Sequence, residues 1–322
     1  MAYKMNIVAV GDLTVDLVMP VPLPVEAGTS IEVPWHVVEP GGASNFLIAG
    51  RRIGAKDVNV FATGPLGDDL YGREVLEILQ RERINADGVL VEPESVTTVV
   101  LVLMEPNTGK FTYIWRGGKG NPVNLTREAK RIVDEADALF MQGYTLCEPQ
   151  ITPLLEYAFA SHRPVWFDVG PAITAVPEEL RERMRRHAYA ILSTEHELPN
   201  IATGKTGEEA YRMLIESGVQ LVVVKRGGEG CRVISRNAEG TDIEVLDVPA
   251  FNVPMRDLVG AGDCFNATFI YASLLGLPLL ERAQLANAAG AAKVQKLGTG
   301  RAMPSREEVR AVLDANNIDI DF

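Results

Sequence analysis

From residue 126 onward the chain alternates apolar runs of strand length with amphipathic helical segments, and no other feature restricts its fold as much. Thr126 stands as a helix cap ahead of Ile132 and Val133, and Ala138–Met141 reads as the next strand. Thr152 followed by Pro153 has the pattern of a cap with proline at the first helical position. Pro164–Phe167 and Ala190–Ser193 read as further strands. Thr206 and Glu209 have capping-box spacing, Gly218 can end that helix, and Val219–Lys225 is an apolar strand. A hairpin turns through Asn237–Gly240, and three helical segments close the chain. Such alternation predicts a mostly parallel sheet covered by helices on both faces.

The first third of the chain is different. Ile7–Val10 opens as a buried strand, and a helix carrying Phe46, Leu47 and Ile53 follows Gly41–Gly42. Between them, residues 18–40 hold five prolines among valines, a composition suited to edge strands and loops. Residues 96–104 and 110–115 read as a hairpin around Asn107–Thr108–Gly109 that can join the first flap in one small sheet. The expectation is a single domain over residues 1–322 with a β lid inserted at about residues 14–38 and 96–116. The apolar face of such a lid is too large for its own small sheet to cover, so a homodimer through the lid is expected.

Composition narrows the partners. The net charge is −12, which repels phosphate backbones and anionic lipids and argues against nucleic acid or membrane partners. Three cysteines, Cys147, Cys231 and Cys264, form neither a C-x-x-C pair nor an even set, as expected of reduced thiols in the cytoplasm. The apolar run before Asp12 is too short for a signal-peptide core.

The chemistry concentrates at Asp257-Leu258-Val259-Gly260-Ala261-Gly262-Asp263, directly before a helical pattern that Gly276 ends. Glycines at a helix start leave backbone N–H groups unpaired and pointing the same way, which makes an anion hole at the positive end of the helix. A carboxylate in that first turn suits phosphoryl transfer, with the amides holding charge on the moving group and the acid accepting a hydroxyl proton. The same residues would also serve a plain tight turn with an acid at the helix start.

Asp-x-x-Gly-Ala-Gly-Asp, together with Gly41-Gly42-Ala43-Ser44-Asn45, resembles the two signatures of the ribokinase-like (PfkB) carbohydrate kinase family. Gly64–Gly72 is similar to the family's G-x-x-G-x-D-x-x-G segment, and Lys225–Gly230 to its nucleotide loop. The resemblance implies a three-layer α/β/α domain that transfers the γ-phosphoryl group of Mg·ATP to a hydroxymethyl group of a sugar or sugar-like alcohol. It implies Asp263 as base, with Gly260, Ala261 and Gly262 as the anion hole. Asp16, Gly41, Gly42 and Asn45 correspond to the sugar site, and a carboxylate such as Asp16 can accept from two neighbouring hydroxyls. Thr194, Lys225, Gly227, Gly230 and Asn287 correspond to the ATP site. Glu197 would place Mg²⁺ through water, and Asp257 lies where some relatives bind a monovalent cation such as K⁺.

Two positions depart from the family pattern. Thr194-Glu195-His196-Glu197 replaces N-x-x-E, and Thr14 stands where many relatives have asparagine, so the acceptor is left open. A nucleoside or sugar-phosphate kinase is one alternative, and a catalytically silent sugar-binding regulator is another. In the second flap strand, Tyr113–Lys119 could cover the substrate, with Arg116 or Lys119 holding an anionic group, or could be an exposed strand end.

Three other patterns fail on context. Gly204-Lys205-Thr206 ends like a P-loop, but Pro199 occupies the place of its first glycine. His196-Glu197 begins like a zinc-protease motif, but the second histidine position is Asn200. Val222–Gly230 runs on into strand rather than helix, so it cannot aim a helix N-terminus at a pyrophosphate.

Overall fold

The computed structural model describes residues 4–105, 111–118, 120 and 122–322. Its first strands and helices are β1 (Met5–Val10), β2 (Leu13–Pro20), β3 (Val37–Gly42), α1 (Ala43–Gly54), β4 (Val58–Gly67), α2 (Leu70–Arg81) and β5 (Asn85–Glu92). Next come β6 (Val99–Met104), β7 (Phe111–Arg116), α3 (Arg127–Asp134), β8 (Ala138–Gln142), α4 (Thr152–Ala160) and β9 (Val165–Asp168). They are followed by α5 (Glu178–His187), β10 (Ala188–Thr194), α6 (Leu198–Ile201), α7 (Gly207–Glu216) and β11 (Leu221–Lys225). The chain ends with β12 (Cys231–Arg236), β13 (Ile243–Val248), α8 (Ala261–Leu274), α9 (Leu279–Val294) and α10 (Arg306–Ala315).

Among the described residues these strands form two sheets. The large one has the order β13-β12-β11-β10-β9-β8-β1-β4-β5, and the small one β3-β2-β6-β7. The large sheet is parallel except where β12 and β13 turn back antiparallel. Successive residues of its central strands face opposite cores, as the period of two requires. Ile7, Ala9, Ala138, Phe140, Leu221 and Val223 join α1, α8, α9 and α10 on one side. Val8, Val10, Leu139, Met141, Val222 and Val224 join α3, α4 and α7 on the other. The expected α/β/α sandwich is therefore present, and continuous apolar strands such as LVVVK arise because both faces are buried.

Chain order reverses at β1. One branch runs β1-β4-β5 and the other departs through β8, so β1 and β8 flank a switch point where loops at the strands' carboxyl ends diverge and leave a crevice.

The lid also forms. β2 pairs antiparallel with β3 and parallel with β6, which carries β7 on its outer side. Residues 21–36, which contribute three of the flap's five prolines, stay irregular. The turn expected at Asn107–Gly109 lies outside the described residues. Two expected caps are absent. Thr152 donates its hydroxyl to Pro149 O instead, because a short 3₁₀ turn at Pro149–Ile151 leads directly into α4. Thr206 makes no cap bond, and its intended partner Glu209 is paired with Lys205. No helix among the described residues is long and apolar enough to cross a membrane. The three cysteines are free thiols.

Candidate active site

A cleft of about 1350 Å³ lies between the lid and the carboxyl ends of the large sheet. Five strand ends place side chains on its wall: Asp12 after β1, Gln142 on β8, Asp168 on β9, Thr194 on β10 and Lys225 on β11. Parallel pairing aligns these ends, so residues far apart in sequence meet there.

The helix start at α8 closes one side. Gly260 has φ +79° and a β-carbon there would come within 2.6 Å of Met303, so glycine is needed for the turn. Asp257 shapes the preceding loop by accepting from the amides of Val259 (2.9 Å) and Gly298 (2.8 Å). The Ala261 amide is turned back to Leu258 O at 3.2 Å, and the first intrahelical bond runs from Cys264 to Gly260 O. Within the 260–263 turn the amides without a backbone acceptor among the described residues are therefore Gly260, Gly262 and Asp263, a shift of one position within the expected anion hole.

Asp263 faces the cleft and accepts from Gln142 Nε2 at 3.0 Å. Burial, reinforced by Asp168, pushes its carboxyl up to about 7. Lys225 Nζ lies 2.6 Å from Asp168 Oδ1. Burial works against the ammonium, but Asp168 and Glu197 outweigh it and hold its pKa above the ordinary lysine range. A β-carbon on Gly262 would stand 3.6 Å from this ammonium, so a positive charge sits directly beside the unpaired amides. Thr194 and Glu197 also line the cleft, locked to each other by Thr194 N–H to Glu197 Oε2 (2.8 Å) and Glu197 N–H to Thr194 Oγ1 (3.3 Å). At Gly227 and Gly228 added β-carbons would meet nothing within 4 Å, which leaves an open shelf beyond Lys225.

The other end of the cleft is acidic. Asp16 on β2 is buried, accepts from Thr14 Oγ1 at 3.3 Å, and is raised to about 7 by burial. Asp12 is raised to about 8 by burial and by Glu148, and Glu148 is itself raised by burial. A β-carbon on Gly41 would fall 1.8 Å from Asp16 Oδ1, so the bare backbone there is what lets the carboxylate lie flat against β3. Gly42 has φ +55° and would bring a β-carbon within 2.5 Å of Asp12 O. Asn45 Oδ1 accepts from Gly300 N–H at 2.8 Å, which ties α1 to the segment after α9. Thr98, Tyr113, Trp115 and Tyr144 complete this end.

Not every expected residue reaches the cleft. Arg116 lies on the opposite face of β7 from Tyr113 and Trp115, because side chains alternate along a strand. Lys119 lies outside the described residues. Asn287 instead donates to the carbonyls of Val248 (3.2 Å) and Pro249 (3.0 Å), fixing the exit of β13. Gly230 closes the turn after β11 at φ +93°, where a β-carbon would strike Val248 O. Conversely, Asp12, Gln142, Tyr144, Glu148 and Asp168 were not marked by motif. The one signal that could find four of them is their place at or just after the carboxyl ends of β1, β8 and β9.

Comparison with known proteins agrees with this fold. The family model described as "pfkB family carbohydrate kinase" matches residues 4–306. The chain is 28% identical over 321 residues to the 2-dehydro-3-deoxygluconokinase of Thermoproteus tenax, covering 96% of this chain and 94% of that one. A crystal structure of ribokinase from Thermotoga maritima superimposes with a TM-score of 0.80 at 26% identity, covering 96% of this chain and 99% of that one. Arabidopsis thaliana ribokinase complexed with ribose and ATP superimposes with a TM-score of 0.79 at 22% identity, covering 97% and 99%.

Proposed function

Because the chain belongs to the pfkB family of carbohydrate kinases, whose activity is ATP-dependent phosphorylation of sugars or nucleosides, we propose that it phosphorylates a hydroxymethyl group of a neutral polyol. The observation that carries this reading is the meeting of three elements in one cleft. These are a carboxylate at a helix start with free amides, an ammonium against Gly262, and an acidic far end.

ATP fits the arrangement of open and charged surfaces. The shelf at Gly227 and Gly228 has room for a nucleotide, and the amides of Gly260, Gly262 and Asp263 with Lys225 have the polarity its phosphates require. No group of three or more His, Cys, Asp or Glu side chains among the described residues is set to hold a metal. Mg²⁺ would then travel with the phosphates, with Glu197 orienting its water, and would neutralise charge on the transferring group.

Asp263 acts as base toward the acceptor hydroxyl. An alcohol is too weak an acid to be ionised beforehand, so its proton passes to the carboxylate as the new O–P bond forms and the bond to the β-phosphate oxygen breaks. Gln142 holds the carboxylate at one oxygen and leaves the other for the substrate. Asp16, Asn45 and Gly42 position the acceptor from the lid side, where closing the β sheet would exclude water.

Charge selects the acceptor class. The far end presents Asp12, Asp16 and Glu148, and among the described residues no Lys or Arg lines it beside them; Arg183 lies at the α5 wall, paired with Glu156. Asp12 and Asp16, raised to about 8 and 7, carry charge from neutral pH upward, where anionic acceptors such as sugar acids or sugar phosphates would be repelled, whereas neutral hydroxyls can exchange hydrogen bonds with either protonation form. The test is ADP release from Mg·ATP with ribose, fructose, nucleosides, 2-keto-3-deoxygluconate and hexose phosphates. Turnover with a neutral sugar or nucleoside is expected, and turnover confined to the anionic acceptors would overturn the assignment.

A further inference from the structure

Lys293, in the last turn of α9, is 0% exposed although it carries an ammonium group. Its Nζ lies 4.0 Å from Asp257 Oδ2 and donates to the carbonyl of Lys296 at 3.3 Å. Its Cε stands 3.6 Å from where a β-carbon on Gly260 would be, so the side chain lies against the turn that presents the unpaired amides. Asp257 is also buried, and its two oxygens already hold the amides of Val259 and Gly298. Two strands of loop thus meet around one buried positive charge: residues 257–260 before α8 and residues 295–298 after α9.

A free monovalent cation does not fit this place. Such an ion needs several oxygens turned toward it, but Val294 O accepts from both Arg256 and Asp257 N–H, and Lys296 O accepts from Lys293. An ammonium is a compact point charge, is favoured at the carboxyl end of a helix, and here reaches the Asp257 carboxylate and a carbonyl. We propose that Lys293 is a built-in cation that stands in for a monovalent metal ion beside Asp257 and positions the Val259–Gly262 turn. The chain is then a kinase that needs no K⁺.

This rests on the kinase reading, and the experiment separates the two. Full-length protein is assayed in potassium-free buffer and then with KCl rising to about 100 mM, ionic strength being held constant with tetramethylammonium chloride. Wild-type turnover should stay within about twofold, because its cation is covalent. Lys293→Ala should lose about tenfold or more in kcat, since the amides drift from register, and should regain about fivefold with K⁺ or NH₄⁺ entering the vacated space. Lys293→Met fills that space and should lose activity without responding to salt. Melting of the apo proteins gives a reading independent of turnover. KCl should raise the midpoint of Lys293→Ala by about 2 °C over tetramethylammonium chloride and leave wild type unmoved. Wild-type activity or stability that climbs with KCl would sink the inference even if neither variant folds. So would a folded Lys293→Ala protein that is fully active without K⁺, or one that loses activity and gains nothing from it. Absence of any turnover in any salt would instead count against the kinase reading, and the melting comparison would still decide the role of Lys293.

Discussion

Lys225 Nζ stands 2.6 Å from Asp168 Oδ1, with both side chains largely enclosed at 13% and 11% exposure and both on the wall that carries Asp263. The pair does two things. It keeps an ammonium beside Gly262, where the phosphate site is proposed, and after burial Asp168 does most to raise Asp263. Lys225→Met should leave Asp168 as a buried unpaired carboxylate, costing about 3 kcal/mol of stability. ATP affinity should fall in a protein that still melts cooperatively. Asp168→Asn should lower the pKa of Asp263, so the acidic limb of the rate profile should move to lower pH. Isothermal titration with Mg·ATP and a pH–rate profile check the two halves separately. An Asp168→Asn profile that coincides with wild type would show that the two carboxyls do not interact.

Stability should fall as pH rises from about 5.5 to 8 in the apo protein. Asp12, Asp16 and Asp263 are raised from 3.8 to about 8, 7 and 7, so within this window the folded state holds protons that the unfolded state has released. Each proton held only by the folded state changes stability by about 1.4 kcal/mol per pH unit, and it is lost as pH rises through the folded pKa. The carboxyls that pull the other way, such as Asp69, Asp242 and Asp247, are held below their ordinary range by hydrogen bonds and nearby arginines, so they act at more acid pH than this window. Asp12→Asn should flatten the slope. A melting temperature that is constant or increasing across the window would contradict the burial of these three groups.

Much of the site could be read locally, and what could not be read was set by pairing. Gly260 and Asp263 were legible because a glycine at positive φ and an acid in the next turn are neighbours in the chain. Gln142 is 121 residues from Asp263 and reaches it only because β8 lies beside β1 at the switch point. Arg116 was misplaced because the face of a strand depends on register: Val100 opposite Trp115 fixes Tyr113 and Trp115 toward the cleft and Arg116 away. Asn287 was expected at the ATP site, but two carbonyls at the end of β13 take its amide first.

Two glycines test the proposed separation of acceptor from nucleotide. Gly41→Ala places a methyl 1.8 Å from Asp16 Oδ1 and 2.5 Å from Thr14 Oγ1, so the carboxylate must move. Acceptor KM should rise by about tenfold or more with ATP KM nearly unchanged. Gly227→Val adds bulk where there is open space on the cleft wall and strains a residue at φ +56°. It should raise ATP KM and leave acceptor KM nearly unchanged. If both variants alter both constants alike, the two ends of the cleft are not separate sites.

We propose that the lid pairs with a second copy. Among the described residues β7 is an edge of the small sheet, and Phe111, Tyr113, Ile114 and Trp115 on it are all exposed, as is Trp35 in the neighbouring flap. Light scattering should give about 70 kDa for the 35.0 kDa chain at micromolar concentration. Ile114→Lys, facing away from the cleft, should return it to one chain's mass with acceptor binding retained. A wild-type particle of single-chain mass would remove the proposed dimer.

Asp263 holds the proposed role of base. It lies in the first turn of α8 without capping it, since the cap position is Gly260, and among the described residues its side chain accepts one hydrogen bond, from Gln142. Asp263→Asn preserves its size, and an amide oxygen can still accept from Gln142, so near pH 4, where the buried carboxyl is protonated, folding should change by less than about 1 kcal/mol. The direction should be toward greater stability at pH 8, because a carboxylate raised to about 7 is ionised there at a cost the amide avoids. The amide cannot take the hydroxyl proton, so kcat should fall by about 10²–10⁴. ATP affinity should hold or increase, because a negative charge beside the phosphate site has gone. If the residue served only the helix start, the pattern would invert, with stability lost and turnover per folded molecule near normal. Melting temperature, Mg·ATP affinity and single-turnover rate on one preparation distinguish the two. A folded Asp263→Asn protein keeping more than about a tenth of the wild-type rate would mean that another group accepts the proton.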